Sequence, residues 1–173
     1  MRHYLPLTIF ALLTPAQAQQ SRDFGSPTDA RLMLERVISA MRTDQAKALQ
    51  LFNEGATGFR EADLYPYCGG EDGIFTAHPE LVGTSMRDLL DKRGNRLGQW
   101  LYDSAKAGEI AEVIYYWPRP GSTEILQKVA LVTRIGDQVC AVGYYRPGHR
   151  GKEAIPWEWV FRRPSLVTSK PRR

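Results

Sequence analysis

Residues 67–79 read YCGGEDGIFTAHP and place a cysteine, two carboxylates and a histidine close together. Zinc would need three or four convergent Cys, His or carboxylate ligands, and Cys68 with His78 supplies fewer than that. Calcium would need several oxygens from one loop, and Glu71-Asp72 falls short of an EF-hand. A cysteine nucleophile beside His78 needs a free thiolate, which pairing of Cys68 with Cys140 would remove. The other reading is a tight connection, in which Gly69, Gly70 and Gly73 supply permissive backbone and Glu71 and Asp72 face water at its tip. No constellation of catalytic partners stands elsewhere in the chain, so no catalytic residue, metal site or cofactor is expected.

Strand alternation offers better candidates. Leu126, Lys128, Ala130 and Val132 share one face of a strand-like run, which leaves Lys128 a single cation among apolar neighbours. Such a lysine either snorkels to water or meets a bound anion. In EVIYYWPRPG, Val113, Tyr115 and Trp117 alternate with Ile114 and Tyr116. Aromatics with polar tips suit the walls of a small-molecule pocket, and equally the core of a sheet. His78, beside Pro79, is either a hydrogen-bonding group at a pocket mouth or a capped loop residue.

The elements that must carry these residues follow from periodicity. Ser26-Pro27-Thr28-Asp29 has the form of a helix start, and apolar residues from Leu34 to Phe52 recur at three- and four-residue steps. One helix of about 40 Å is expected, ending near Asn53, unless Thr43-Asp44-Gln45 divides it into a kinked pair. Short strands are expected at 63–68, 74–78, 111–117, 125–134 and 138–145, with helical pieces at 85–92 and 97–107. Helix, two strands, helices, three strands is the order of an α+β domain with an antiparallel sheet.

The ends bound the setting. MRHYLPLTIFALLTPAQA has a basic start, an apolar run and a small-residue cleavage site, the layout of a secretory signal peptide over residues 1–18. That run is too short to span a bilayer, and no transmembrane segment is expected after cleavage. A periplasmic or secreted protein is expected, with one domain over 19–145 and a C-terminal extension over 146–173. The net charge of +4 comes from that extension: 8 Lys and Arg against 2 Asp and Glu from Arg146 onward, against 14 and 17 between Gln19 and Tyr145. A slightly acidic body argues against nucleic-acid binding. In an oxidising compartment an even cysteine count favours a Cys68–Cys140 disulfide over two separate buried thiols. The segment IPWEWVFRRP either packs on the body or docks on a partner or membrane surface.

Read together, DLYPYCGGEDGIFTAHPELVGTSMRDLLDKRGN, EVIYYWPRPG and LQKVALVTRIGDQVCAVGYY resemble the single Cache domain of the extracytoplasmic sensor superfamily. The resemblance implies a PAS-like five-stranded sheet with a long N-terminal helix on one face and short helices flanking a ligand pocket on the other. It implies a sensor for a small carboxylate or amino-acid-like metabolite, not an enzyme, with Lys128 as the carboxylate-binding group; on their chemistry Tyr116, Tyr115, Trp117 and His78 are expected around it. Family members are commonly the outer half of a membrane receptor, so output here would pass to a membrane receptor or another envelope protein. The competing expectation is a structural or interaction module that keeps the fold without the ligand.

Overall fold

The computed structural model describes residues 24–150, with side chains as far as Arg146. The expected signal peptide and all but the first residues of the expected C-terminal extension lie outside the described residues.

The N-terminal helical region is two helices. Helix α1 (Pro27–Thr43) starts with a full capping box: Ser26 Oγ accepts from Asp29 N at 3.1 Å, and Asp29 Oδ2 accepts from Ser26 N at 2.9 Å. Ala30, Met33, Leu34, Val37 and Met41 form its buried stripe. The single long helix is corrected at Asp44, whose extended backbone (φ −157°, ψ 100°) closes α1 while its carboxylate accepts from Lys47 N at 3.0 Å to cap α2 (Gln45–Glu54). One short acidic side chain both ends a helix and starts the next, the alternative that Thr43-Asp44-Gln45 had left open.

Five antiparallel strands follow, β1 (Pro66–Gly69), β2 (Phe75–Ala77), β3 (Ala111–Pro118), β4 (Ile125–Ile135) and β5 (Gln138–Arg150), in the spatial order β2-β1-β5-β4-β3. The YCGGEDG stretch is the β1–β2 turn, with Gly73 at φ 85° and Glu71 and Asp72 exposed. Cys68 and Cys140 lie opposite each other on β1 and β5 and are disulfide-bonded. That bond joins the strand after the helices to the last strand of the sheet.

Of the two expected helical pieces between β2 and β3, only one forms, α3 (Leu97–Ser104). Residues 85–92 are turns. Asp88 N donates to Ser85 Oγ at 3.1 Å as at a helix start, but Met86 N and Arg87 N are tied to Gly73 O, and Leu89 O accepts from Gly98 N at 2.9 Å. With its backbone bonded to the β1–β2 turn on one side and to α3 on the other, the segment has no free ladder to propagate. It does cover the open edge of the sheet: Lys92 N donates to Tyr116 O at 3.0 Å and Tyr116 N donates to Asp91 Oδ2 at 3.2 Å.

The sheet separates two cores. Under α1 and α2, Leu34, Val37 and Phe52 pack with Ile114, Val129, Leu131, Val142 and the disulfide. On the other face, α3 and the 79–95 loops cover Val113, Tyr115, Ala130, Val132, Tyr65 and Tyr67.

Candidate ligand-binding site

Lys128 is fully buried at the centre of the second face. Its stem has room because β5 carries glycine there: a Cβ on Gly143 would stand 2.6 Å from Lys128 Cε and 3.2 Å from Tyr115 Oη. Lys128 Nζ donates to Tyr65 Oη at 3.1 Å and lies 4.3 Å and 4.8 Å from the ring centroids of Tyr65 and Tyr145. An ammonium has three donors, and one hydrogen bond plus two aromatic faces leaves it under-compensated. Burial accordingly pushes its pKa down to about 7, with the Asp63 carboxylate opposing the shift. The snorkelling reading does not hold, because the head never reaches water.

Around this lysine stands a layer of tyrosines. Tyr67 and Tyr115 share a hydrogen bond at 3.5 Å, and burial raises both phenols well above their ordinary pKa. Burial also pushes Tyr65 up to about 12. All remain neutral at physiological pH and retain their O–H as donors.

Tyr65 also lines a cavity of about 510 Å³, together with Arg60, His78, Leu89, Lys92, Trp117 and Arg119 among others. Tyr65 belongs to both tiers, with its hydroxyl on Lys128 and its side chain in the cavity wall. His78 is positioned from the helical face: Asn53 at the end of α2 donates to Thr76 O at 3.0 Å and accepts from His78 N at 3.1 Å, clamping the end of β2. The imidazole Nδ1 accepts from Glu80 N at 3.0 Å and Leu81 N at 3.1 Å. Burial, aided by the Lys128 charge, lowers its pKa to about 4. His78 is thus neutral with its proton on Nε2, a donor whose tautomer is set by the loop. His78 both caps the loop and lines the cavity.

The rim is basic. Lys92 Nζ lies 4.5 Å from the Trp117 ring centroid. Arg119, in the β3–β4 connection, pairs with the buried Asp63 at 3.2 Å and stacks 3.9 Å over Phe24. Asp63 in turn accepts from Gly25 N at 2.8 Å, so the start of the helical region, the β1 approach and the β3–β4 connection meet at one ion pair.

Of the residues proposed from sequence, Trp117 and His78 line the cavity, while Lys128 and Tyr115 are buried and do not line it; Lys128 reaches the wall through its hydrogen bond to Tyr65. Tyr116 is not brought to it. The alternation of β3 turns Tyr116 away with Ile114, and Arg93 stacks 3.5 Å over its ring. Sequence reasoning missed Arg60, Lys92 and Arg119, and left Tyr65 out of the ligand set. Only the clustering of Tyr65 and Tyr67 ahead of Cys68, and the placement of Arg119 between two prolines, hinted at them. Among the described residues no group of three or more His, Cys, Asp or Glu converges on a metal position, and both cysteines are bonded, so neither is a thiolate nucleophile.

The model of the family described as Single Cache domain 2 matches residues 9–143. Among solved structures, the chain is similar to a methyl-accepting chemotaxis protein from Vibrio parahaemolyticus RIMD 2210633, at 20% identity and a TM-score of 0.55, covering 68% of this chain and 86% of that one. A periplasmic sensor domain of a chemotaxis protein aligns at 22% identity and a TM-score of 0.49, covering 65% and 85%. A structure described as the basis for carboxylic acid recognition by a Cache chemosensory domain aligns at 19% identity and a TM-score of 0.48, covering 65% and 83%. No curated protein matches.

Proposed function

Because the chain belongs to the single Cache domain family, we propose that it is an exported, non-enzymatic sensor domain. It binds a small carboxylate or amino-acid-like metabolite and hands the signal to a membrane receptor or another envelope protein. The observation that carries this reading is Lys128: a fully buried ammonium whose one hydrogen bond goes to Tyr65, a residue that lines a cavity with a mainly basic rim. Burying a cation costs several kcal/mol unless it is paired, and a small anion held beside Tyr65 would supply the missing partner. Tyr65 Oη, the Nε2–H of His78 and the Trp117 face complete a lining that donates hydrogen bonds to oxygen and encloses a short carbon skeleton. The asymmetry of donors over acceptors favours an anion over a cation or a neutral sugar.

The test is thermal-shift screening of the mature chain against organic acids and amino acids, followed by calorimetry on a hit. Saturable stabilisation is expected, lost in Lys128→Met and weakened in His78→Phe. Affinity has a defined pH course. The free lysine is protonated below about pH 7, and a bound carboxylate raises its pKa. Binding is therefore tightest below pH 7 and weakens by up to about tenfold per pH unit above it, with proton uptake. A broad panel without a hit, or binding unchanged in Lys128→Met, would overturn the proposal and favour the interaction module.

A further inference from the structure

We propose that the cavity is built for a small dicarboxylate, one carboxylate meeting Tyr65 and the second meeting Arg60 and Lys92. This narrows the pocket reading above and rests on it. Its first support is the charge of the lining, where Arg60, Lys92 and Arg119 face a single acid, Glu80. Arg119 is offset by Asp63 at 3.2 Å. Neither Arg60 nor Lys92 stands in an ion pair with a described carboxylate. Asp91, the acid next to Lys92 in sequence, is buried and spends its oxygens on Arg93 N and Asn95 N at 2.9 Å and on Tyr116 N at 3.2 Å. With Glu80 set against one of the two, one rim cation is left over, besides Lys128 bonded to Tyr65. A monocarboxylate answers one of these charges, whereas a dicarboxylate answers both.

The second support is that these cationic heads are held in place before a ligand arrives. Lys92 N donates to Tyr116 O at 3.0 Å, and Lys92 Nζ rests 4.5 Å from the Trp117 ring centroid. Arg60 lies along the end of α2, where Gly55 makes room: a Cβ there would stand 3.0 Å from Arg60 Cδ. The Arg60 charge is felt at the Tyr65 hydroxyl, since burial, Glu80 and Asp63 raise the Tyr65 pKa and Arg60 opposes the rise. A cation already within reach of one end of a short dianion loses little freedom on binding it. Both side chains are exposed, so salt screens their attraction, and their contribution is to selectivity more than to raw affinity.

The third support is space. A two- or three-carbon acid displaces only a few waters, at about 30 Å³ each, from a cavity of about 510 Å³. Seated at Tyr65, such an acid leaves the rim cations to solvent. A four- or five-carbon chain carries a second carboxylate toward them. A chain of the same length ending in an ammonium would meet like charge there.

Calorimetry on the full mature chain at low salt, with two matched sets of acids, tests this. Succinate, butyrate and β-alanine share one carboxylate and one chain length and differ only at the far group, as do glutarate, valerate and 4-aminobutyrate. In the better-bound set the dicarboxylate should bind at least about tenfold tighter than its methyl analogue, with the ammonium analogue weakest. Arg60→Gln and Lys92→Gln should each cut the ratio of dicarboxylate to methyl-analogue affinity about threefold or more, as should added salt. Arg42→Gln, an exposed charge removed from the last turn of α1, should leave the ratio as it is. Equal or tighter binding of the methyl or ammonium analogue would overturn the dicarboxylate and leave a carboxylate pocket standing. So would a ratio that survives in both rim variants. No binding by either set at millimolar concentration would overturn the carboxylate pocket as well.

Discussion

Alternate residues of the same strands build two opposite environments. On the helical face Ile114, Val129, Leu131 and Val142 meet α1 and α2, and the disulfide is sealed among them. One position along, Tyr115, Lys128 and Gly143 face the other way and enclose a buried charge. The helical face spends its surface on dry packing, while the opposite face holds neutral phenols, a neutral histidine and a lysine without a carboxylate in contact. A domain whose stability came from both faces could not leave one of them electrostatically incomplete. The helices and the disulfide hold the sheet, so the cavity face can remain open to a ligand.

The division of labour predicts which changes disturb folding and which disturb binding. Removing the disulfide in Cys68→Ala/Cys140→Ala should have the largest effect, because it frees a sequence separation of 72 residues. The expected loss is about 4 kcal/mol by chemical denaturation. Leu34→Ala, a cavity under α1, should cost about 3 kcal/mol. In both variants the fraction that remains folded should bind ligand with unchanged affinity; a large affinity loss would break the separation of the faces.

On the cavity face the signs differ. Folding lowers the Lys128 pKa from 10.5 to about 7, so between those values the unfolded chain binds more protons than the folded one. The stability of the ligand-free protein should therefore rise with pH, by about 2 kcal/mol from pH 7 to 9. Denaturation across that range reads it, and a flat profile in Lys128→Met would assign it to this residue. The penalty is full below pH 7, where Lys128→Met should be at least as stable as the parent. A marked destabilisation by that substitution would mean that the lysine is a structural member of the core. The smallest expected effect is Tyr67→Phe, which removes the hydroxyl shared with Tyr115 and should cost about 1 kcal/mol.

Much of the scaffold was legible because it follows from local rules. The helix start at Ser26, four of the five strands within three residues of their ends, the start of β5 though not its run on to Arg150, and the opposed directions of Tyr115 and Tyr116 come from caps and a period of two. Tyr116 was nonetheless grouped with the ligand set on its chemistry, against the alternation that placed it elsewhere. At residues 85–92 the local signals of a helix were present, and bonds to Gly73 and Gly98, neighbours in space, decided against it. At Asp44 both continuations had been open, and its extended backbone settled on two helices.

Composition and periodicity alone established an α+β sheet domain with a lysine on an apolar strand face. An even cysteine count added the case for a bond. These are properties of single elements, which neighbouring residues encode. The depth of Lys128, the neutral state of His78 and the ion pair of Asp63 with Arg119 arise where β1, β2, β4 and the β3–β4 connection converge. Each depends on desolvation by residues distant in the chain, so it exists only once the sheet has closed.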